Sequence, residues 1–184
     1  MKGVVFNLLE ETVTRAFGPD TWDALLDASD VTGAYTSLGN YPDSEMEALV
    51  AAAGQALSLD RDAVLRWFGV QAIPVLAELY PAFFGGAPDA RAFIEGVNTI
   101  IHAEVRKLYP GAECPHFRMH DEAGDLVMHY VSSRNMCALA QGFVEGTAAW
   151  YGGSVDFQHV ACTARGDARC IFKVAWPIST AEAA

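Results

Sequence analysis

Three hydrogen-bond donors alternate along residues 130–134 in a pattern that could bind an acidic ligand. The stretch from Met128 reads Met-His-Tyr-Val-Ser-Ser-Arg. In an extended strand, residues two apart share a face, so Tyr130, Ser132 and Arg134 would project together at intervals of about 6.5 Å, spanning about 13 Å. The guanidinium can hold a carboxylate with two hydrogen bonds, and the two hydroxyls can donate to other oxygens. The spacing suits a ligand with two acidic groups, but a half-exposed strand with a polar face would show the same alternation.

A single histidine, His102, lies on a long helix that precedes this stretch. The helix is predicted over residues 89–108 because apolar residues recur at helical spacing, and Tyr109-Pro-Gly111 ends it. His102 falls on the flank of the apolar stripe. From the spacing alone, it is either a boundary residue of the core or a ligand.

Three cysteines and a histidine in the last third of the chain could bind one metal ion. Cys137 begins the helix that follows Arg134, and His159, Cys162 and Cys170 lie on the last two predicted strands. A Cys₃His set is a standard tetrahedral zinc site, although these residues include no CxxC pair. Cys114 has no partner in this arrangement and is predicted to be a plain buried thiol.

Composition limits the class of protein and of partner. The chain has 184 residues, of which 52% are hydrophobic, which is enough for one sizeable core. Twelve Lys and Arg against 23 Asp and Glu give a net charge of −11, which argues against nucleic acid and anionic membranes as partners. No apolar run reaches membrane-spanning length, and the N-terminus lacks the features of a signal peptide. These features predict a cytoplasmic protein.

The order of the predicted elements indicates an α+β fold. A helical N-terminal lobe, about residues 1–60, is expected to pack on a mixed lobe, about 61–178, that contains the long helix and a four-stranded antiparallel sheet. Within the second lobe, a helix over residues 63–68 is expected to end at Gly69. Two hairpins are expected, with turns at 121–125 and 165–167. Residues 179–184 read as a frayed tail.

Taken together, these motifs resemble the haem nitric oxide/oxygen-binding (H-NOX) family, which shares the gas-binding module of soluble guanylate cyclase. The resemblance covers nearly the whole chain. It is carried by the Met-Lys-Gly start, the histidine His102 on the long helix, Pro115 just after that helix, and the YxSxR motif Tyr130-Val-Ser132-Ser-Arg134. The YxSxR motif with a histidine about 28 residues upstream is the specific signal.

The resemblance implies a haem b whose five-coordinate iron is held by His102. Tyr130, Ser132 and Arg134 would clamp the two propionates. Pro115 would press on the porphyrin and distort it, which is one way a protein tunes haem iron, although proline is also ordinary at the start of a strand. The matching positions give an apolar distal pocket, which core packing alone would also explain: Val5, Leu9, Leu76, Leu139 and Phe143.

The function implied is that of a stand-alone bacterial gas sensor. Relatives that hold dioxygen carry a tyrosine at the position of Leu139, so this chain is expected to bind nitric oxide and carbon monoxide and to exclude dioxygen. Nitric oxide would weaken the bond between His102 and iron, and the lobes would rotate. No nucleophile–base pair is evident, so an enzyme is not expected. The partner would be a histidine kinase or a cyclic-di-GMP enzyme, and the acidic charge suits docking to a basic patch.

Two other classes of function are compatible with the same sequence. Some bacterial relatives carry zinc with the ligand pattern of Cys137, His159, Cys162 and Cys170, so a zinc-thiolate redox sensor in which haem is secondary is the main alternative. A domain that binds a small ligand and holds no haem is the other. A Soret band would decide between haem and these alternatives.

Overall fold

The computed structural model of the chain describes residues 1–177. The helices in this range are α1 (Gly3–Phe17), α2 (Pro19–Ser29), α3 (Asp43–Leu57), α4 (Arg61–Leu79), α5 (Pro81–Gly85), α6 (Ala90–Glu95), α7 (His102–Leu108) and α8 (Cys137–Trp150). The strands are β1 (His116–Glu122), β2 (Asp125–Val131), β3 (Asp156–Ala161) and β4 (Cys170–Ala175). A π-helical turn (Val97–Ile101) lies between α6 and α7, and a 3-10 turn (Thr163–Arg165) between β3 and β4. The predicted tail, residues 179–184, and the last residue of the predicted domain lie outside the described residues.

One antiparallel sheet organises the second half of the chain. Its strand order is β1-β2-β4-β3. The β1–β2 hairpin turns at Ala123 and Gly124, whose φ angles of 55° and 94° are those of a tight two-residue hairpin turn. The predicted α+β class with a four-stranded antiparallel sheet is confirmed.

Two hydrophobic clusters fill most of the interior. The helical cluster centres on α1 to α4, with Phe6, Leu65 and Phe68 almost fully buried, and takes in Met136 just before α8. The sheet cluster joins buried residues of β2 and β4 to the inner side of α8. Because α4 contributes to the helical cluster, that cluster extends past residue 60, and the division into two lobes stays a prediction. None of the helices in residues 1–177 has the length and apolar character needed to cross a bilayer.

Helices α4 and α8 cross in unusually close contact because glycines lie at the crossing. A Cβ added to Gly69 would lie 2.6 Å from the carbonyl oxygen of Leu139, and one added to Gly142 would collide with the carbonyl oxygen of Arg66. The expectation that a helix ends at Gly69 is wrong, since α4 continues through that residue to Leu79. Gly69 does not end α4; its lack of a side chain allows the backbone of α8 to approach closely.

The close crossing predicts a large effect for Gly142→Ala. The added methyl group meets backbone atoms that cannot rotate away, so the free energy of unfolding should fall by roughly 1–3 kcal/mol or more, measured by urea denaturation. Gly85→Ala is the matched control, because a Cβ there has no neighbour within 4 Å. Alanine is the better helix former, so a loss at Gly142 has to be steric. Equal stability of the two variants would contradict this packing.

Candidate functional site

The π-helical turn sets the position of His102. The single long helix predicted for residues 89–108 is divided into α6, this turn and α7, and His102 is the first residue after the turn. Asn98, within the turn, bonds to β1 twice: its Nδ2 donates to the carbonyl oxygen of Phe117, and its Oδ1 accepts from Phe117 N at 3.2 Å. A π turn rotates the residues that follow it and is frequent at functional sites. Through Asn98, the π-helical turn therefore holds the start of α7 against β1, which is an edge strand of the sheet.

His102 has the properties of a neutral imidazole with one unpartnered nitrogen. Its Nδ1 is buried and has no hydrogen-bond partner among residues 1–177. Burial first, and then the charge of Arg106, lowers its pKa to about 4, although a hydrogen bond to the backbone of Pro115 works in the other direction. The ring stacks on Phe117 with a centroid separation of 6.3 Å. A half-buried, neutral imidazole with a free nitrogen fits the ligand set of a transition metal such as haem iron.

The YxSxR residues do not form the extended row that their spacing suggested. Strand β2 ends at Val131, so Tyr130 lies on the strand while Ser132 and Arg134 lie in the turn that follows. Ser132 Oγ accepts a hydrogen bond from Arg134 N at 3.2 Å, and Asn135 has a φ of 50°. Such local side-chain bonds to the backbone compete with strand pairing. Tyr130 is buried, with its ring 5.5 Å from that of Phe117.

Arg134 joins three separate segments of the chain. Its Nε donates to Asp43 Oδ2 at 2.9 Å, its Nη1 to the Glu113 carbonyl oxygen at 2.8 Å, and its Nη2 to Glu113 Oε2 at 3.0 Å. Burial opposes ionisation of Asp43, but hydrogen bonds from the Met1 ammonium group and Arg134 lower its pKa. The Glu113 side chain is 75% exposed and that of Asp43 44%. An acidic ligand would displace Glu113 more easily, because exposed ion pairs contribute little.

The sequence motifs did not predict that three further residues belong to the site: Asp43, Asn98 and Glu113. Asp43 is the first residue of α3, in a part of the chain that contains none of the motifs. Asn98 had a detectable signal, since it lies one helical turn before His102 on the same flank. The ion pair of Arg134 with Asp43 joins residues 91 positions apart, and spacing alone could not have revealed it.

The five residues predicted to line the distal pocket all belong to one hydrophobic region of the structure. Leu9 is buried in the helical cluster, and the other four pack against that cluster from α1, α4 and α8: Val5, Leu76, Leu139 and Phe143. None of these side chains carries a hydrogen-bond donor. Their side chains therefore offer apolar contacts and no donor that could stabilise a developing charge.

Three of the four predicted zinc ligands form a buried cluster. The sulfur atoms of Cys137, Cys162 and Cys170 lie within 4.8 Å of one another, and those of Cys137 and Cys162 are 3.5 Å apart. Burial, and then the neighbouring Cys162, raises the pKa of Cys137 to about 12. Thr163 N donates to Cys170 Sγ at 3.3 Å. A cation would favour the thiolate forms that burial disfavours.

His159 does not join this cluster. Its Nε2 lies 2.9 Å from Oε1 of Gln141 on α8, and its ring packs 4.9 Å from Phe172 and 5.3 Å from Phe157. The structure therefore brings together three of the four residues of the expected Cys₃His set. Cys114, the fourth cysteine, is half-buried and lies apart from the three.

Comparisons with known proteins agree with this arrangement. A family model described as haem-NO-binding matches residues 2–159. An H-NOX protein from S. oneidensis, in a crystal structure of the Fe(II)NO ligation state, is 26% identical with a TM-score of 0.89, over 97% of this chain and 100% of that one. The unliganded Fe(II) H-NOX protein from K. algicida is also 26% identical with a TM-score of 0.83, over 98% of both chains.

The matched region contains the elements from which the site was built. It includes His102 after the π-helical turn, the YxSxR segment and the five apolar residues of the distal set. The resemblance inferred from the sequence is thereby confirmed, and the chain belongs to the haem-NO-binding (H-NOX) family.

Proposed function

We propose that this haem-based gas sensor binds nitric oxide and carbon monoxide, does not retain dioxygen, and signals to a partner protein such as a histidine kinase or a cyclic-di-GMP enzyme. The observation that carries the selectivity is the distal set, whose five side chains are all apolar. The haem, when bound, supplies a ferrous iron that takes up a diatomic ligand. The side chains of the protein would bind the haem, exclude water from the pocket and determine which diatomic ligand is favoured.

Each part of the site has a role in this proposal. His102 offers a neutral imidazole with an unpartnered nitrogen, and it would be the protein ligand of the iron. Tyr130, Ser132 and Arg134 would hold the propionates, with Arg134 exchanging the exposed carboxylate of Glu113 for one of them. Pro115 is within hydrogen-bonding reach of His102 through its backbone and would border the porphyrin on that side.

An absorption spectrum of the reduced, haem-loaded protein tests this function. The Soret band should be that of five-coordinate ferrous haem, remain unchanged on brief exposure to air, and shift on addition of nitric oxide. The absence of any Soret band in protein produced with ample haem would remove the proposal. A spectrum that changes reversibly with oxygen would remove only the selectivity.

Arg134→Ala should lose haem more severely than Ser132→Ala. A partly buried propionate without its cation is unfavourable by several kcal/mol, whereas losing one hydroxyl costs about 1 kcal/mol. The measurement is the ratio of Soret to protein absorbance after purification. Asp43→Asn is the matched control, because it breaks the ion pair of Asp43 with Arg134 and leaves the guanidinium in place. Equal haem retention in the Arg134 and Asp43 variants would argue against the clamp.

We also propose a zinc ion at the three-cysteine cluster. Metal analysis should find about one zinc per chain, since three buried thiols at this separation match a structural zinc set. Cys162→Ser should lose the metal, and Cys114→Ser should retain it. His159→Ala would decide whether the histidine leaves Gln141 to complete the set. A stable wild-type protein free of metal would end this proposal.

A thiol redox sensor is the second candidate, favoured by the 3.5 Å separation of the Cys137 and Cys162 sulfur atoms. Hydrogen peroxide could oxidise the two thiols to a disulfide and would itself be reduced to two molecules of water. The two functions are separated by the spectrum. A protein with no Soret band, whose two thiols are lost to a peroxide, would be a redox sensor.

A further inference from the structure

The amide of Asn98 takes the place of a neighbouring strand at one point on the edge of the sheet. Strand β1 is an edge strand, so every second residue along it turns its backbone N–H and C=O groups away from β2. At Phe117 both groups bond to Asn98: Nδ2 donates to the carbonyl oxygen, and Oδ1 accepts from the N–H at 3.2 Å. One side chain thereby satisfies two backbone groups that the edge would leave unpaired.

The attachment made by Asn98 reaches the backbone of His102. Asn98 lies in the π-helical turn, and His102 N–H donates to the carbonyl oxygen of Val97, the residue directly before Asn98. The other polar side chain of the turn, Thr99, bonds within the helix, with its Oγ1 donating to the Gly96 carbonyl oxygen at 3.4 Å. Among the described residues, the hydrogen bonds of Asn98 are therefore the side-chain bonds that attach this turn to the sheet.

Asn98 also fixes the position of the ring that faces the imidazole. The Phe117 ring is buried, and its centroid lies 6.3 Å from that of the His102 ring, with an angle of 24° between the two planes. Tyr130, the register partner of Phe117 on β2, lies 5.5 Å from the same ring and limits its movement. A shift of the turn along β1 would therefore move the His102 backbone relative to a ring that stays with the sheet. Both the place and the orientation of the imidazole depend on this attachment.

We infer that Asn98 is a positioning residue for His102, and that its two bonds to Phe117 determine how firmly the imidazole binds the iron. This inference rests on the proposed function, in which His102 is the iron ligand. Groups that orient a metal ligand typically change metal affinity or activity by about 10–100-fold. Asn98 acts through the helix backbone, since its own side chain bonds to β1. Loosening the turn should weaken the bond between His102 and iron, so that nitric oxide breaks it more easily.

Asn98→Ala, which removes both bonds, tests the inference on the haem-loaded full chain. Hydrogen exchange at Phe117 N–H should become faster by about tenfold or more, because the group loses its partner. The iron–histidine stretching band of the reduced protein, recorded by resonance Raman spectroscopy, should move to lower frequency. The rate at which nitric oxide breaks the bond, followed in the absorption spectrum, should rise about fivefold or more.

Two further variants make the test specific. Thr99→Ala removes the other polar side chain of the turn, and it should leave the exchange rate and the rate with nitric oxide within about twofold of wild type, because Thr99 does not bond to β1. Asn98→Asp keeps an acceptor for Phe117 N–H but turns a carboxylate oxygen toward the Phe117 carbonyl oxygen. It should therefore protect the N–H and still lower the stretching frequency, and it replaces Asn98→Ala if that variant fails to fold.

A purely structural role of Asn98 would overturn the inference. In that case exchange at Phe117 would become faster in Asn98→Ala, while the stretching band and the rate with nitric oxide stayed as in wild type. Unchanged exchange at Phe117, or equal changes in Thr99→Ala, would overturn it as well. Each of these outcomes leaves the gas-sensing proposal in place, whereas a wild-type protein without a Soret band would remove both.

Discussion

His102→Gly is expected to purify almost free of haem. The imidazole is held at the start of α7 by the π-helical turn, and its buried Nδ1 has no other partner among the described residues. Glycine removes the only histidine side chain of that helix and leaves a space about the size of the lost ring. Imidazole added during expression should enter the space and restore haem binding. The measurement is the ratio of Soret to protein absorbance with and without imidazole.

His120→Gly is the control for this result. His120 is exposed on β1, so its loss should leave haem content unchanged. A His102→Gly protein that carries normal five-coordinate haem without imidazole would exclude His102 as the iron ligand. It would leave the fold and the family unaffected, because these rest on the whole chain.

The fold could be predicted largely because its signals are local. The hairpin turn at Ala123 and Gly124 and the strands on either side follow from alternation and turn chemistry. The helical character of residues 89–108 also followed from the spacing of apolar residues. The π-helical turn did not, because the 7 residues of α7 that follow it are too few to reveal the change in phase of the apolar pattern.

Errors in the prediction arose where a specific contact overrides the preference inferred from periodicity. Glycine has the weakest helix propensity after proline, and this predicted an end at Gly69. The helix continues because Gly69 leaves room for the backbone of α8 to pack against α4. Ser132 alternates correctly for a strand, but its bond to Arg134 N turns the chain after Val131. The contact at Gly69 is with a distant part of the chain, whereas the bond of Ser132 is local but involves a backbone N–H that side-chain periodicity does not show.

The candidate site shows the same limit. The grouping of Cys137, Cys162 and Cys170 followed from the predicted elements, because Cys137 begins a helix and the other two lie at the last two strands. The placement of His159 did not follow, because Gln141 on the facing helix offers its ring nitrogen a partner 2.9 Å away. Sequence indicates which residues can ligate a metal, and packing decides which of them are turned toward one another.

Leu139→Tyr is expected to give the protein some capacity to retain dioxygen. Leu139 packs against the helical cluster from α8, in the set that contains Phe143 one turn later. Dioxygen draws negative charge from the iron and is retained when a donor stabilises that charge, whereas nitric oxide and carbon monoxide need no donor. A charge-assisted hydrogen bond contributes about 1.5–3 kcal/mol, or one to two decades in affinity. The phenol would supply the donor that all five apolar side chains lack.

Leu139→Phe separates the hydroxyl from the size of the ring. The backbone of Leu139 lies close to Gly69, so a larger side chain could distort the pocket in either variant, and only the tyrosine brings a donor. Spectra of the reduced proteins should therefore change reversibly with oxygen in Leu139→Tyr and remain five-coordinate in Leu139→Phe and wild type, while nitric oxide shifts all three. Reversible oxygen binding by the wild-type protein would mean that selectivity is not set by a missing donor. In that case the charge on dioxygen would have to be stabilised by a group outside the distal set.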